Sequence, residues 1–238
     1  MLPVVAGIIL VAAIVQTVTG FGFALVATPL LALTVDPRTA VVATTVGMLA
    51  VTATVAIRQR HHAEWKVAAM TLAGTVVGLP LGLLVLEVAS DPVLTGLIAV
   101  AVLCCIAIVW RGVTVPGNRS TVVGVGLLAG VLSTSTGTNG PPLVAVFQGM
   151  GYDAATFRAT LSVIFAGASV FSLIGFAVAG EVTSTALWVG LIGLPTVQVG
   201  YRVGNALFHR IDPQHFRPVV LAALLVSGVV TLVRAVTG

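Results

Sequence analysis

The sequence predicts an all-α polytopic membrane protein, and the observations behind this class are its composition and its long apolar segments. Hydrophobic residues make up 58% of the 238 positions, charged residues make up 8%, and the mean hydropathy is +1.15. A soluble domain carries roughly 25% charged residues, so this chain has too few charges to cover a water-facing surface. The apolar segments are continuous, which favours membrane-spanning helices over the short alternating strands of a barrel.

The first half of the chain contains one broken apolar segment followed by three continuous ones. Residues 4–35 are apolar but are interrupted between Gly20 and Phe23, and they end at Asp36. A basic loop at residues 58–66 and a later acidic loop separate the continuous segments. Each of these is long enough to cross a bilayer as a helix, and they lie at residues 39–57, 67–86 and 93–110.

The second half repeats this arrangement. Residues 121–148 are interrupted at 133–142 by the polar stretch Ser-Thr-Ser-Thr-Gly-Thr-Asn-Gly-Pro-Pro. Two prolines at the end of this stretch suit the first turn of a helix that restarts there, where no backbone donor is needed. Three continuous spans are predicted after it, at residues 157–179, 182–202 and 219–236.

Short motifs recur in the same order in both halves, which indicates an internal duplication with repeats at residues 1–112 and 120–238. Each match alone is weak, because Gly and Pro are frequent in this chain. Four matches at nearly the same offset are much harder to obtain by chance. They are Gly20 with Gly137, Asp36 with Asp153, Gly78-Leu79-Pro80 with Gly193-Leu194-Pro195, and Asp91-Pro92 with Asp212-Pro213.

Charge placement predicts the topology. Basic loops face the cytoplasm, which assigns residues 58–66, 111–119 and 202–217 to that side. The segment 121–148 then has Arg119 and Arg158 on the same side, so it is expected to be a re-entrant hairpin. By symmetry, residues 4–35 form the matching hairpin from outside. Each half is then a hairpin plus three spans, the two halves have inverted topology, and both termini lie outside.

A competing interpretation makes both broken segments full spans, giving eight spans in total. It places the basic residues 202–217 outside, against the positive-inside rule, and is therefore the second choice.

The two breaks are the candidate substrate site, because inverted repeats with broken helices bind their substrates near the bilayer midplane. The second break offers hydroxyls, an amide, and free N–H groups where its helix restarts, a combination that suits a small oxyanion. Small residues also serve close helix packing, which is the alternative explanation for single Gly or Thr positions. The substrate-binding candidates are Gln16, Thr19, Gly20, Phe21, Gly22, Ser135, Thr136, Gly137, Thr138, Asn139 and Gly140.

Further polar residues are candidates for the pathway or its gates. Asp36 and Asp153 occupy matching positions and could act at the mouths, although the simpler interpretation is that they cap helices. Arg158 begins a span, where it could extend to the cytoplasmic interface or act as a cation at the cytoplasmic mouth. Gln198 and Arg202 are four residues apart and share one helix face, which could line the pathway.

Several other functions are not indicated. The 238 residues contain no metal-ligand spacing, nucleotide loop or catalytic triad, so no cofactor, no metal and no enzymatic activity are predicted. The pI of about 9.8 does not indicate nucleic-acid binding, because the basic residues lie in short loops between apolar segments. Cys104 and Cys105 are adjacent within an apolar segment, where a bond between them would distort the helix, and they are expected to be core residues.

Each break carries a longer motif: Gly20-Phe21-Gly22-Phe23 with Pro29-Leu30-Leu31 and then residues 40–45, and Gly137-Thr138-Asn139-Gly140-Pro141-Pro142 with Phe157-Arg158-Ala159-Thr160. These motifs resemble those of the TauE/SafE family of sulfite and organosulfonate exporters, and the resemblance covers nearly the whole chain. Phe21 and Phe23 replace the small residues usual in the first motif, and their rings could wall an apolar part of a ligand.

The resemblance implies a permease of the inner (plasma) membrane for sulfite, sulfonates or related sulfur oxyanions. Its partners would be this small anion, the lipid bilayer and, in a homodimer, a second copy of the chain. Three hypotheses follow: a secondary transporter for a sulfur oxyanion, an anion channel that uses the same breaks, and a membrane thiol oxidoreductase that uses Cys104 and Cys105.

Overall fold

The computed structural model describes residues 2–208, which form helices and no strand. The predicted span 219–236, residues 209–217 of the third basic loop and the Asp212-Pro213 motif lie outside the described residues. The helices are α1 (Leu2–Thr19), α2 (Phe23–Leu31), α3 (Pro37–Arg58), α4 (Trp65–Val88), α5 (Asp91–Arg111), α6 (Arg119–Ser135), α7 (Gly140–Gly149), α8 (Ala154–Val178) and α9 (Ser184–Phe208), with a short 3-10 turn at Arg60–His62.

Four of these helices, α3, α4, α5 and α8, are long and apolar enough to cross a membrane, and α1 and α6 are shorter apolar helices. Large apolar side chains such as Leu84, Ile174 and Val178 are exposed on the outside of the bundle. A water-facing surface would not carry such residues in continuous patches, whereas lipid solvates them. The protein is thus an all-helical protein with a membrane-embedded body, as the composition predicts.

Two aspartates start the two long helices α3 and α8 in the same way. The carboxylate of Asp36 accepts a hydrogen bond from the backbone N–H of Thr39 at 2.8 Å. The carboxylate of Asp153 accepts from the N–H groups of Ala155 at 2.9 Å and Thr156 at 3.1 Å. Such caps satisfy N–H groups that have no partner within the helix. The matched Asp motifs of the two halves therefore have matched local structures.

Both predicted helix breaks occur, and each contains a glycine with a positive φ angle. Gly20 has φ +84° between α1 and α2, and Gly137 has φ +71° between α6 and α7. Side chains with a Cβ rarely adopt this conformation, so the chain uses glycine where the helix must stop. The second break is narrower than the predicted stretch 133–142, because α6 continues to Ser135 and α7 begins at Gly140.

Glycines let α4 and α6 approach until their backbones touch. A methyl group at Gly74, Gly78 or Gly82 would collide with a carbonyl oxygen of α6, namely that of Val123, Leu127 or Val131, respectively. The contacts advance along both helices in the same direction, so α4 and α6 run parallel. This close approach is the small-residue packing typical of membrane helices.

The helices α1 and α9 form a second parallel pair of the same kind. Gly200 of α9 lies against Ala13 of α1, and Gly204, one turn later, lies against Thr17. The helix α9 continues to Phe208, six residues beyond the end predicted for this span, so Arg202 is helical and not part of a loop.

The long helices α3 and α8 pack antiparallel. At one end of the bundle, Nη1 of Arg38 in the first turn of α3 lies 3.3 Å from Oε1 of Glu181, which follows α8. At the other end, Nε of Arg158 in the start of α8 donates to Oε1 of Gln59, which follows α3, at 3.0 Å. Each of these helices also packs against a helix of the opposite half, α3 on α9 and α8 on α4.

Two glycines of α6 test this packing. Gly126 faces the carbonyl oxygen of Thr71 on α4, whereas a Cβ at Gly124 would have nothing within 4 Å. Alanine favours a helix over glycine by about 1 kcal/mol, while overpacking costs about 1–3 kcal/mol. We therefore expect Gly126→Ala to lower the melting temperature in detergent and Gly124→Ala to leave it equal or higher. Equal melting temperatures for the two variants would contradict the close contact of α4 and α6.

Candidate functional site

Gln16 holds the backbone of the first break. Its side-chain Nε2 donates to the carbonyl oxygen of Gly20 at 3.0 Å, and its Oε1 accepts from the backbone N–H of Phe23 at 3.0 Å. The side chain is buried, so water does not compete for these bonds. Because both ends of the amide are used on the break itself, Gln16 fixes the shape of the break from within the site.

Thr19 and Phe21 complete the first break. The Thr19 hydroxyl donates to the carbonyl oxygen of Val15 at 2.8 Å, accepts from the N–H of Phe21 at 3.3 Å, and also lies against the Phe21 carbonyl oxygen. Phe21 is buried, with its side chain directed at the second break.

Most hydroxyls of the second break bond to backbone carbonyls. Ser135 donates to Val131 at 2.7 Å and Thr136 to Leu132 at 3.0 Å, each one turn back in α6. The hydroxyl oxygens of Thr136 and Thr138 lie 2.7 Å apart and share a hydrogen bond. These bonds satisfy the end of α6, so fewer hydroxyl protons than the sequence suggests remain available for a ligand.

Asn139 belongs to a small buried polar network. Its Nδ2 donates to the hydroxyl of Ser133 at 3.4 Å, and Ser133 pairs with Ser172 of α8 at 3.0 Å. The Oδ1 atom of Asn139 is buried and has no hydrogen-bond partner. An unpaired amide end at this position leaves the network one bond short, which is costly in a buried site unless a ligand supplies the bond.

The two breaks lie against each other. A Cβ built on Gly140 would lie 3.8 Å from Cβ of Phe21 and 3.9 Å from Cδ1 of Leu25. A Cβ on Gly137 would lie 3.1 Å from the Thr28 hydroxyl of α2, which itself is buried without a partner. The structure therefore brings Gly137, Gly140 and Phe21 of the candidate set together.

The first break also contacts Arg158 of α8. A Cβ on Gly20 would lie 3.0 Å from Cα and 3.4 Å from Cβ of Arg158. Arg158 is only 1% exposed, and it is the largest fully buried side chain among the described residues. Its guanidinium group is enclosed by protein and lies beside Gln59, the residue that follows α3.

Buried polar atoms without a hydrogen-bond partner occur on the elements around the breaks. Thr28 and Asn139 adjoin or belong to the second break, and Arg158 adjoins the first. Ser162 is four residues after Arg158 and therefore shares its face of α8, and Thr44 lies near the start of α3. Among the described residues these are the only such atoms, namely Thr28 Oγ1, Thr44 Oγ1, Asn139 Oδ1, Arg158 Nη1 and Ser162 Oγ.

The other predicted pathway residues lie apart from the breaks. Asp36 and Asp153 are exposed helix caps, as the simpler interpretation held. The pKa of Asp153 is lowered, chiefly by the hydrogen bond from the Thr156 hydroxyl and then by the Thr156 N–H. Gln198 and Arg202 are exposed on α9, where Gln198 donates to the Thr54 hydroxyl at 3.4 Å.

The two cysteines, both expected in the core, differ in burial. Cys105 is buried, whereas Cys104 is exposed and lines a cavity of about 400 Å³. This cavity reaches Ser135 and Thr136 of the second break, but its other walls are apolar, so it does not suit an anion. No group of three or more metal-binding side chains comes together within residues 2–208.

Sequence reasoning missed the polar neighbours that other elements supply to the breaks. Thr28 lies in the short apolar helix α2, and Gln59 lies in a loop read only for its basic charge. Asn205 of α9 accepts from Nη2 of Arg158 at 2.9 Å. Gln59 could have been noticed from the sequence, because it is a neutral amide between Arg58 and Arg60. Nothing in the local sequence distinguishes Thr28 from other buried threonines.

A family of known proteins matches the chain. The family model described as "Sulfite exporter TauE/SafE" matches residues 5–231. No curated protein and no solved structure matches the chain.

Replacing Gln16 tests its role in the first break. Gln16→Leu keeps the size of the side chain but leaves the Phe23 N–H and the Gly20 carbonyl unpaired, at a cost of about 1–3 kcal/mol each. We expect a lower melting temperature and faster hydrogen exchange at the Phe23 amide. The matched control is Gln198→Leu on the exposed face of α9, which should change neither. Unchanged exchange at Phe23 in the Gln16 variant would show that Gln16 does not hold the break.

Proposed function

We propose that this chain, which belongs to the TauE/SafE family of sulfite exporters, is a secondary transporter for a small sulfur oxyanion such as sulfite or a sulfonate. The family consists of membrane transporters for sulfur compounds and not of enzymes. The membrane-embedded helical body of this chain agrees with that membership.

The observation that carries the proposed site is the set of unpaired buried polar atoms around the two breaks. Thr28, Asn139 and Arg158 each leave at least one polar atom without a protein partner. Buried polar groups are nearly always paired, and a site built for a polar ligand is the usual exception. An oxyanion could accept from Thr28 Oγ1 and Arg158 Nη1, whereas Asn139 Oδ1 only accepts, so Asn139 would bind an oxyanion through Nδ2. We therefore propose that the substrate binds between the breaks.

The donors we assign at the second break differ from those expected from composition. Ser135 and Thr136 use their protons on carbonyls of α6 or within the break. Because Thr136 donates to Leu132, Thr138 donates to Thr136 in turn, and its proton is not free. The remaining donors are the second N–H of the Asn139 amide and the backbone N–H of Gly140 at the start of α7, where Pro141 and Pro142 carry none. The dipole of α7 adds a partial positive charge there, which favours an anion.

We further propose that residues 1–112 and 120–238 are inverted repeats. Three helix contacts support this. The equivalent helices α3 and α8 are antiparallel, and two parallel pairs, α4 with α6 and α1 with α9, each consist of one helix from each half. Since α9 begins at the Glu181 end of the bundle, its parallel partner α1 also begins there, as does α3. Residues 2–36 thus return to the end where they start, which supports a hairpin over a full span.

The same reasoning applies to the second break. The helix α6 runs parallel to α4, so it begins near Lys66, at the end of the bundle where Gln59 contacts Arg158 of α8. Residues 119–153 therefore also leave from and return to one end. We propose that the protein lies in the inner (plasma) membrane, that this end, which carries the basic loops 58–66 and 111–119, faces the cytoplasm, and that the termini face outside.

Cysteine labelling tests the hairpin against the eight-span alternative. In a background without Cys104 and Cys105, Ser90→Cys lies outside and Ser120→Cys inside under both topologies, so they serve as controls. Thr183→Cys discriminates, because it lies outside if residues 121–148 form a hairpin and inside if they form a full span. We expect a membrane-impermeant maleimide to label Thr183→Cys and Ser90→Cys on intact cells, and Ser120→Cys only after permeabilisation. Labelling of Thr183→Cys only after permeabilisation would reject the hairpin.

Transport in proteoliposomes tests the function and the site. We expect saturable uptake of sulfite or a sulfonate with counterflow, which a channel would not give. Asn139→Ala and Thr138→Ala should each weaken the apparent affinity by roughly tenfold or more, because the first removes a hydrogen bond to a charged ligand and the second removes the hydroxyl that bonds Thr136 within the break.

The matched control for these variants is Thr95→Ala. Its hydroxyl donates only to the carbonyl oxygen of Asp91 within α5, at 2.8 Å, so transport should be unchanged. Wild-type kinetics in both Asn139→Ala and Thr138→Ala would remove the second break from the site, and flux without saturation or counterflow would favour the channel.

A further inference from the structure

Arg158 is a buried cation without a carboxylate partner among residues 2–208. It lies in the second turn of α8 and is 1% exposed. The sole ion pair among the described residues joins Arg38 to Glu181 at the opposite end of the bundle. Burying an uncompensated charge is costly, and a charged residue inside a membrane protein generally serves function.

The neighbours of Arg158 orient its guanidinium group without neutralising it. Its Nε donates to Gln59 at 3.0 Å, its Nη2 donates to Asn205 at 2.9 Å, and the group lies 4.2 Å from the ring centre of Phe208. The two acceptors are neutral amides, and the ring offers only the weak attraction of its π face. The third nitrogen, Nη1, is buried with no hydrogen-bond partner. One donor of a fixed cation is therefore left for a group that residues 2–208 do not supply.

This side chain lies at the first break. Gly20 packs on the base of Arg158, close enough that a Cβ there would lie 3.0 Å from its Cα. The unpaired hydroxyl of Ser162 lies on the same face of α8, one turn further along. The region around Arg158 thus contains a cation with a free N–H group and one unpaired hydroxyl, and both groups can donate a hydrogen bond to an anion.

The corresponding position in the first half carries no charge. The sequence offset that relates Gly20 to Gly137 and Asp36 to Asp153 relates Val41 to Arg158. Val41 lies beside Gly137, with its Cγ1 3.7 Å from a Cβ built there, just as Arg158 lies beside Gly20. One of two equivalent contacts is therefore apolar and the other cationic, so packing alone does not require an arginine at this position.

We propose that Nη1 of Arg158 binds the oxyanion at the first break and supplies the positive charge that selects an anion over a neutral compound. This inference rests on the proposed function, since it names the charged ligand of the same site. Gln59 and Asn205 act as positioning residues, because they hold the guanidinium group by its other two nitrogens. A sulfonate or sulfite oxygen would accept from Nη1, and its negative charge would compensate the buried cation.

Gln59→Glu tests the proposal without removing the arginine. A glutamate at this position places a carboxylate within hydrogen-bond distance of Arg158 and neutralises it internally. We expect the ligand-free protein to melt at a higher temperature, while its affinity for sulfite and for a sulfonate such as taurine falls by roughly tenfold or more. A purely structural arginine would give the higher melting temperature with unchanged affinity. The matched control is Gln148→Glu, the same change at an exposed position at the end of α7, which should alter neither quantity.

Two substitutions of the arginine complete the test: Arg158→Gln removes the positive charge, and Arg158→Lys keeps it. We expect Arg158→Gln to lose anion binding and Arg158→Lys to retain part of it, with both measured on purified protein by calorimetry. Sulfite affinity at the wild-type level in both Gln59→Glu and Arg158→Gln would overturn the proposal.

The wild-type protein separates this inference from the proposed function. If the wild-type protein binds sulfur oxyanions and the variants bind them equally well, the inference fails and the proposed function stands. If it binds no sulfur oxyanion but is stabilised by phosphate or chloride through Arg158, the substrate class is wrong and the anion site stands. If no anion stabilises the wild-type protein, both are rejected.

Discussion

The structure depends on one constraint, which is that a helix ending inside a nonpolar bundle must find partners for its terminal N–H and C=O groups. Water is not available there, so side chains must supply the missing bonds. At the first break, one glutamine does this with both ends of its amide, to Gly20 and Phe23. At the second, the hydroxyls of Ser135, Thr136 and Thr138 share the task. The polar residues of the breaks are thus structural first, and only those with atoms left over are available to a ligand.

Small residues allow the two breaks to meet. The glycines of α4 bring its backbone onto α6, and those of α9 bring it onto α1. Both contacts join one half of the chain to the other, so the broken segment of each half is held by a helix of the opposite half. With larger residues at these positions, α1 and α6 would stand further from their partners, and Gly140 could not lie against Phe21. The site is therefore a product of the packing between halves and not of either half alone.

Much of the fold could be predicted from the sequence, because its signals are local. The breaks follow from Gly20, Gly137 and their polar neighbours, and the helix starts follow from Asp36 and Asp153. The surroundings of Arg158 could not be predicted in this way. Its position near a helix start does not reveal that Gly20 of a distant segment packs on it or that its side chain is buried. Likewise, Gln59 and Thr28 become part of the candidate site only through contacts between elements far apart in sequence.

The exchange of helices between halves has a consequence for biosynthesis. Among the described helices, α1 is made first and α9, on which it packs, is made last. At a synthesis rate of about 5–20 residues per second, α1 must wait on the order of 10–40 s in the membrane before its partner is inserted. Until Arg158 is made, the break at Gly20 lacks its contact with that residue, and its backbone depends on the side chains of Gln16 and Thr19. A chain still bound to the ribosome therefore has the first break within the lipid before its partners in the second half exist. The insertion machinery or an early contact with α3 must shield the polar groups of this break from lipid until the second half is inserted.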